Sequence, residues 1–95
     1  MPNYTKGEWR VHKFYLNNTW RVVGEHNWQV CEYIKHEADA HLIAAAPQMY
    51  EAAKVALDLV KVVLYDHPDD DIAQTQKQVI EQALAKAEGR EYASE

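Results

Sequence analysis

Residues 8–23 read EWRVHKFYLNNTWRVV. Glu8 to Leu16 and Thr19 to Val23 are dense in aromatic and β-branched residues, the composition of strands. Asn17 and Asn18 stand between them, and asparagine tolerates the positive φ that a two-residue hairpin turn requires. A second break, Gly24-Glu25-His26-Asn27, precedes Trp28 to Ile34 (WQVCEYI), which reads as a third strand. The front of the chain is therefore expected to be a three-stranded antiparallel meander.

The turn sets the register. With Asn17-Asn18 as the loop, Leu16 faces Thr19, Tyr15 faces Trp20, Phe14 faces Arg21 and Lys13 faces Val22. One face then carries Trp9, Val11, Tyr15, Trp20 and Val22, interrupted by Lys13, and is the better core face. The other carries Arg10, His12, Phe14, Arg21 and Val23, with Tyr33 joining from the third strand. Guanidinium groups beside flat rings can stack on bases and pair with phosphates. Arg10, His12, Phe14, Arg21 and Tyr33 thus form a candidate ligand or partner surface. The same residues also fit a plain solvated face with Phe14 packed under a terminus. A slip of one residue would exchange the two faces.

Downstream of the strands the pattern becomes helical. His36 to Ala46 (HEADAHLIAAA) is rich in helix formers, with acids in its first turn where the helix dipole favours them. Pro47 ends that helix and suits the first position of the next. From there to Tyr65, Met49, Ala53, Ala56, Val60 and Val63 form a heptad-like seam. Val55, Leu57, Leu59, Val62 and Leu64 fill most of the remaining circumference, so this helix is expected to be buried nearly all round. A chain this small can hardly cover it, and the strip Val55, Leu59, Val62 is the candidate oligomer interface.

Asp66-His67-Pro68-Asp69-Asp70-Asp71 breaks the helix and starts another, with acids at its positive end. Ile72, Gln76, Val79, Ile80, Ala83, Leu84 and Ala87 give its expected apolar stripe, and Gly89 stops it. The fold class is α+β: a three-stranded meander, a short helix and two longer antiparallel helices. We expect one domain over 1–95, with the meander at 7–35, a helical pair at 36–65 broken at Pro47, a last helix at 69–88 and a frayed tail at 90–95.

Charge and composition narrow the function. The chain has 95 residues with ten Lys+Arg against fifteen Asp+Glu, a net charge of -5, which argues against coating duplex DNA. Residues 1–35 hold five basic and three acidic residues, whereas 36–95 hold five and twelve. The acids Asp66, Asp69, Asp70 and Asp71 are a candidate surface for a basic partner. A single cysteine, Cys31, rules out an internal disulfide framework. No apolar run reaches the ~18–20 residues of a membrane span, and the first residues lack the apolar core of a signal peptide. An intracellular chain without membrane partners is expected.

Catalytic patterns are missing. His36-Glu37-Ala38-Asp39-Ala40-His41 places its histidines five residues apart, where helical side chains diverge, so a zinc site is not expected. Glu37 and His41 instead suit a surface pair. The acidic run lacks the glycine and distal glutamate of a calcium loop. Ser94 is the one serine, and the three glycines are scattered. We expect no enzyme, no metal and no cofactor.

Ala38 to Lys54 reads ADAHLIAAAPQMYEAAK. This resembles a segment of a family of small proteins from tailed bacteriophages and prophages, of the form A-N-A-x-L-I-A-A-A-P-x-x-x-E-A-L. Leu42 to Pro47 and Glu51 match, Asp39 replaces the usual Asn, and Trp9-Arg10-Val11 is similar to the family's W-x-V opening. The resemblance spans roughly residues 7 to 60 and leaves the last helix unmatched. It implies phage origin and an α+β fold, and carries no catalytic residue across. It also implies a host bacterial cytoplasmic setting and an accessory role. The leading expectation is an anti-CRISPR-like inhibitor of host defence that binds a host protein complex. The alternatives are an oligomeric protein that sequesters a nucleotide signal, and a structural or regulatory association module.

Overall fold

The structure, a computed structural model, describes residues 4, 5 and 7–90. Residues 91–95 of the expected tail lie outside the described residues. Three strands, β1 (Arg10–Phe14), β2 (Thr19–Val23) and β3 (Gln29–Ile34), form an antiparallel sheet in the order β1-β2-β3. Three helices follow: α1 (Glu37–Ala44), α2 (Ala46–Asp66) and α3 (Asp71–Ala87). The α+β class and the meander are as expected from the sequence. Contacts divide the chain into two compact units, 1–48 and 49–95.

In the first unit the β1–β2 register differs from the expected one. Phe14 pairs with Thr19, Lys13 with Trp20, His12 with Arg21, Val11 with Val22 and Arg10 with Val23. The loop is thus Tyr15 to Asn18 rather than Asn17-Asn18 alone. Asn17 sets it: its Oδ1 accepts from the Thr19 hydroxyl at 2.6 Å and the Thr19 N–H at 3.3 Å, and Asn18 follows at φ 55°. The shift is two residues, so every side chain keeps its expected face within the paired strands. Tyr15, expected on the core face, falls in the loop and is 82% exposed.

Val22, Ile34 and Ala40 are the buried heart of this unit, with Trp9, Val11, Trp20, Val30, Cys31, Ile43 and Ala44 packed against them. Helix α1 covers that face and touches all three strands. Lys13 does not break the apolar face as its charge implied. Its ammonium lies 5.3 Å from the Tyr15 ring centre and 5.4 Å from that of Trp20.

Strand β3 is irregular. Val23 pairs with Gln29, Val22 with Cys31 and Trp20 with Ile34, so β3 carries extra residues at two places. Counting by twos from Cys31 would put Tyr33 over the core. Tyr33 instead adopts φ 62°, and Ile34 takes the core position at 8% exposure.

In the second unit α2 and α3 form a helical hairpin. The Asp70 carboxylate caps α3 by accepting from Ala73 N–H at 3.1 Å. Tyr50, near the start of α2, donates from its hydroxyl to Glu88 at the end of α3. Gly89, at φ 71°, closes α3 through N–H bonds to Lys86 and onward from Arg90 to Ala85.

The expected all-round burial of α2 is overturned, and the two expected apolar lines are met in part. No residue of α2 is fully buried; Ala53, Ala56 and Val60 of the expected seam are half-buried, together with Tyr50, Leu57 and Leu64, while Met49 and Val63 are exposed. On α3, Ile80 and Leu84 of the expected stripe are covered, together with Ala73 and Ala85, while Ile72 and Val79 are exposed.

Candidate anion-binding face of the sheet

Alternation along β1 and β2 places Arg10, His12 and Phe14 on one face with Val23, Arg21 and Thr19, away from α1. Arg21 is the centre. It lines two shallow hollows that share it as a wall. The larger, about 240 Å³, is lined by His12, Arg21, Val23, Asn27 and Gln29, with Val23 as a floor only 3% exposed. Among the described residues no carboxylate lines it. Arg10 stands beside it, its Nη2 donating to Asn27 Oδ1 at 3.4 Å. The turn that brings Asn27 there is a single 3-10 turn, Glu25–Asn27, in which His26 and Asn27 take φ near 60°.

The smaller hollow, about 70 Å³, is lined by Phe14, Thr19, Arg21, Glu32 and Tyr33. The Arg21 guanidinium carbon lies 5.8 Å from the Phe14 ring centre, a cation–π arrangement that fixes the head. Arg21 makes no ion pair among the described residues, and its Nε is buried without a hydrogen-bond partner among them. A buried donor left unsatisfied costs about 1–3 kcal/mol, more when charged. Its terminal nitrogens carry no ion pair among the described residues, and a guanidinium matches carboxylate and phosphate oxygens best.

The structure brings His12, Phe14, Arg21 and Tyr33 onto these hollows and places Arg10 at their rim. The reading from sequence did not include Thr19, Asn27, Gln29 and Glu32. Thr19 follows from parity once the loop is known, and Gln29 from its pairing with Val23. Glu32 and Asn27 depend on a bulge and a turn that alternation does not describe.

The acidic candidates lie together at the α2–α3 turn: Asp66 ends α2, Asp69 and Asp70 precede α3, and Asp71 begins it. Asp70 is occupied as the cap, while Asp66, Asp69 and Asp71 are exposed. Val55, Leu59 and Val62 form an exposed strip on α2, at 60%, 64% and 63%. Glu37 and His41 meet at 3.3 Å as the expected surface pair. Among the described residues no three His, Cys, Asp or Glu converge on a metal position, and no helix is long and apolar enough to cross a membrane.

The family model described as Salmonella phage P22 protein Y8K6 matches residues 1–91, and the chain belongs to that phage protein family. No curated protein and no solved structure matches it.

Proposed function

We propose that this phage-family protein is a non-enzymatic accessory protein of the host cytoplasm that inhibits a host defence system, in the manner of an anti-CRISPR protein, by binding. The carrying observation is Arg21: a guanidinium held against Phe14, with no ion pair among the described residues, beside a hollow that no described carboxylate lines. Such a surface receives an anionic group of its target, whether the target is a host complex or a molecule that the complex needs. The exposed Asp66, Asp69 and Asp71 offer a second contact to a basic host surface. The test is plating of a targeted phage on hosts carrying single active defence systems, with and without the protein. Plating should rise for one system and fall back with Arg21→Gln. Unchanged plating across CRISPR and other nucleotide-dependent systems sinks the reading.

A second element of function is self-association through Val55, Leu59 and Val62, favoured by their exposure on one helical face. Sedimentation at micromolar concentration should give a mass above that of one chain, and Leu59→Lys should reduce it. A clean monomer in the unsubstituted protein removes this element.

A further inference from the structure

We infer that the Arg21 face holds a nucleoside monophosphate unit, with the phosphate in the larger hollow and a guanine-type base stacked across the mouth of the smaller one. The inference rests on the reading of this face as the binding surface and names its ligand. Four observations carry it.

The two hollows differ in chemistry and share one wall. His12, Asn27 and Gln29, each able to donate from nitrogen, line the larger, Arg10 stands at its rim, and among the described residues no carboxylate lines it. A phosphate needs such a donor set, and a guanidinium at the wall grips two of its oxygens. The smaller hollow has rings instead. Tyr33, 65% exposed, offers it a ring on which a base can stack, while the Phe14 ring holds the Arg21 guanidinium.

Glu32 supplies the third observation. A carboxylate in an otherwise cationic site repels phosphate, so it belongs with the part of the ligand that donates. Its two oxygens match a ring N–H and an adjacent exocyclic amine, the pair that guanine presents on its Watson–Crick edge. Adenine offers an acceptor at the ring position and is disfavoured there. Glu32 makes no ion pair with Arg21, so its oxygens are not taken up by the neighbouring cation.

The fourth is backbone conformation. Tyr33 sits in the left-handed region at φ 62°, which a bulky residue adopts only where the surroundings impose it. The bulge turns Tyr33 away from the core and sets it, next to Glu32, in the smaller hollow.

Calorimetric titration of the full chain with GMP, AMP, guanosine, inorganic phosphate and a single-stranded G-containing tetranucleotide tests this. GMP should bind at least about tenfold tighter than AMP, within the discrimination that one bidentate base contact supplies. It should exceed guanosine and inorganic phosphate by a similar factor. Glu32→Gln should bring GMP and AMP within about threefold while inorganic phosphate is unaffected, and Arg21→Gln should remove binding of every phosphate probe. Circular dichroism checks that both variants fold. Tighter binding of the tetranucleotide than of GMP would identify a strand as the source, with the same nucleotide contacts. Arg21-dependent phosphate binding with no preference among bases overturns the nucleotide assignment and leaves anion binding intact. No binding by any probe overturns both.

Discussion

Arg21 and Tyr33 are each held at a local cost. For Arg21 the cost is a buried, unpartnered Nε–H. Replacing it by Met keeps the length of the side chain and removes the donor, so Arg21→Met should leave stability unchanged or raise it by about 1 kcal/mol while abolishing anion binding. Thermal unfolding checks the first outcome, and a clear loss of stability would mean that the guanidinium is structural. For Tyr33 the cost is a positive φ in a β-strand. Tyr33→Asn should stabilise by about 1 kcal/mol, because asparagine tolerates that region and the tyrosine side chain is largely exposed. A fall in unfolding midpoint would contradict it. The membership of Arg10, His12, Phe14 and Arg21 on one face was readable from sequence because the register error was an even number. Glu32 was not readable, because a bulge changes the count along β3 and leaves no mark in composition.

At the scale of elements, strands and helix spans were legible and helix faces only in part. Periodicity puts Ile72, Val79, Ile80 and Leu84 of α3 in one stripe and passes over Ala73 and Ala85, whose small side chains carry little apolar signal. The structure covers Ile80 and Leu84 together with those alanines and leaves Ile72 and Val79 exposed. The acidic turn shows the converse, since one of its four acids has a definite job. Asp70→Ala should cost about 1 kcal/mol by loss of the cap, whereas Asp69→Ala should lie within about 0.5 kcal/mol of the original protein. Chemical denaturation separates these, and equal effects would deny the cap its role. The hairpin also has a pH signature. The Tyr50 hydroxyl, then the Arg90 guanidinium, hold the Glu88 carboxyl below its ordinary 4.5, and the bond to Glu88 raises Tyr50 above its ordinary 10.0. A lowered carboxyl adds stability that is complete above 4.5 and lost as pH falls through its folded value. A raised hydroxyl adds stability that is complete below 10.0 and lost as pH rises through its folded value. Unfolding midpoints should therefore fall at both ends. Tyr50→Phe should remove this bond's contribution at both, leaving the smaller acid effect of Arg90. An unchanged alkaline limb in that variant would deny the bond a role there.

For the whole molecule, the boundary between the two units reassigns the charge. Residues 1–48 hold five basic and five acidic residues and are neutral, while residues 49–95 hold five against ten and carry the entire -5. The sheet face is thus a local cationic patch on a neutral unit joined to an acidic one. Such a patch suits a ligand small enough to contact it alone. Duplex DNA is the opposite case, with a charge every ~1.7 Å along a rod that extends past any one contact. Arg10 and Arg21 can neutralise few phosphates, and the acidic unit on the same chain opposes the rest. A mobility-shift assay at ~150 mM salt should therefore show no retained duplex at protein concentrations where GMP is bound. Retention of duplex that competes with GMP for Arg21 would move the target from a small nucleotide to the polymer.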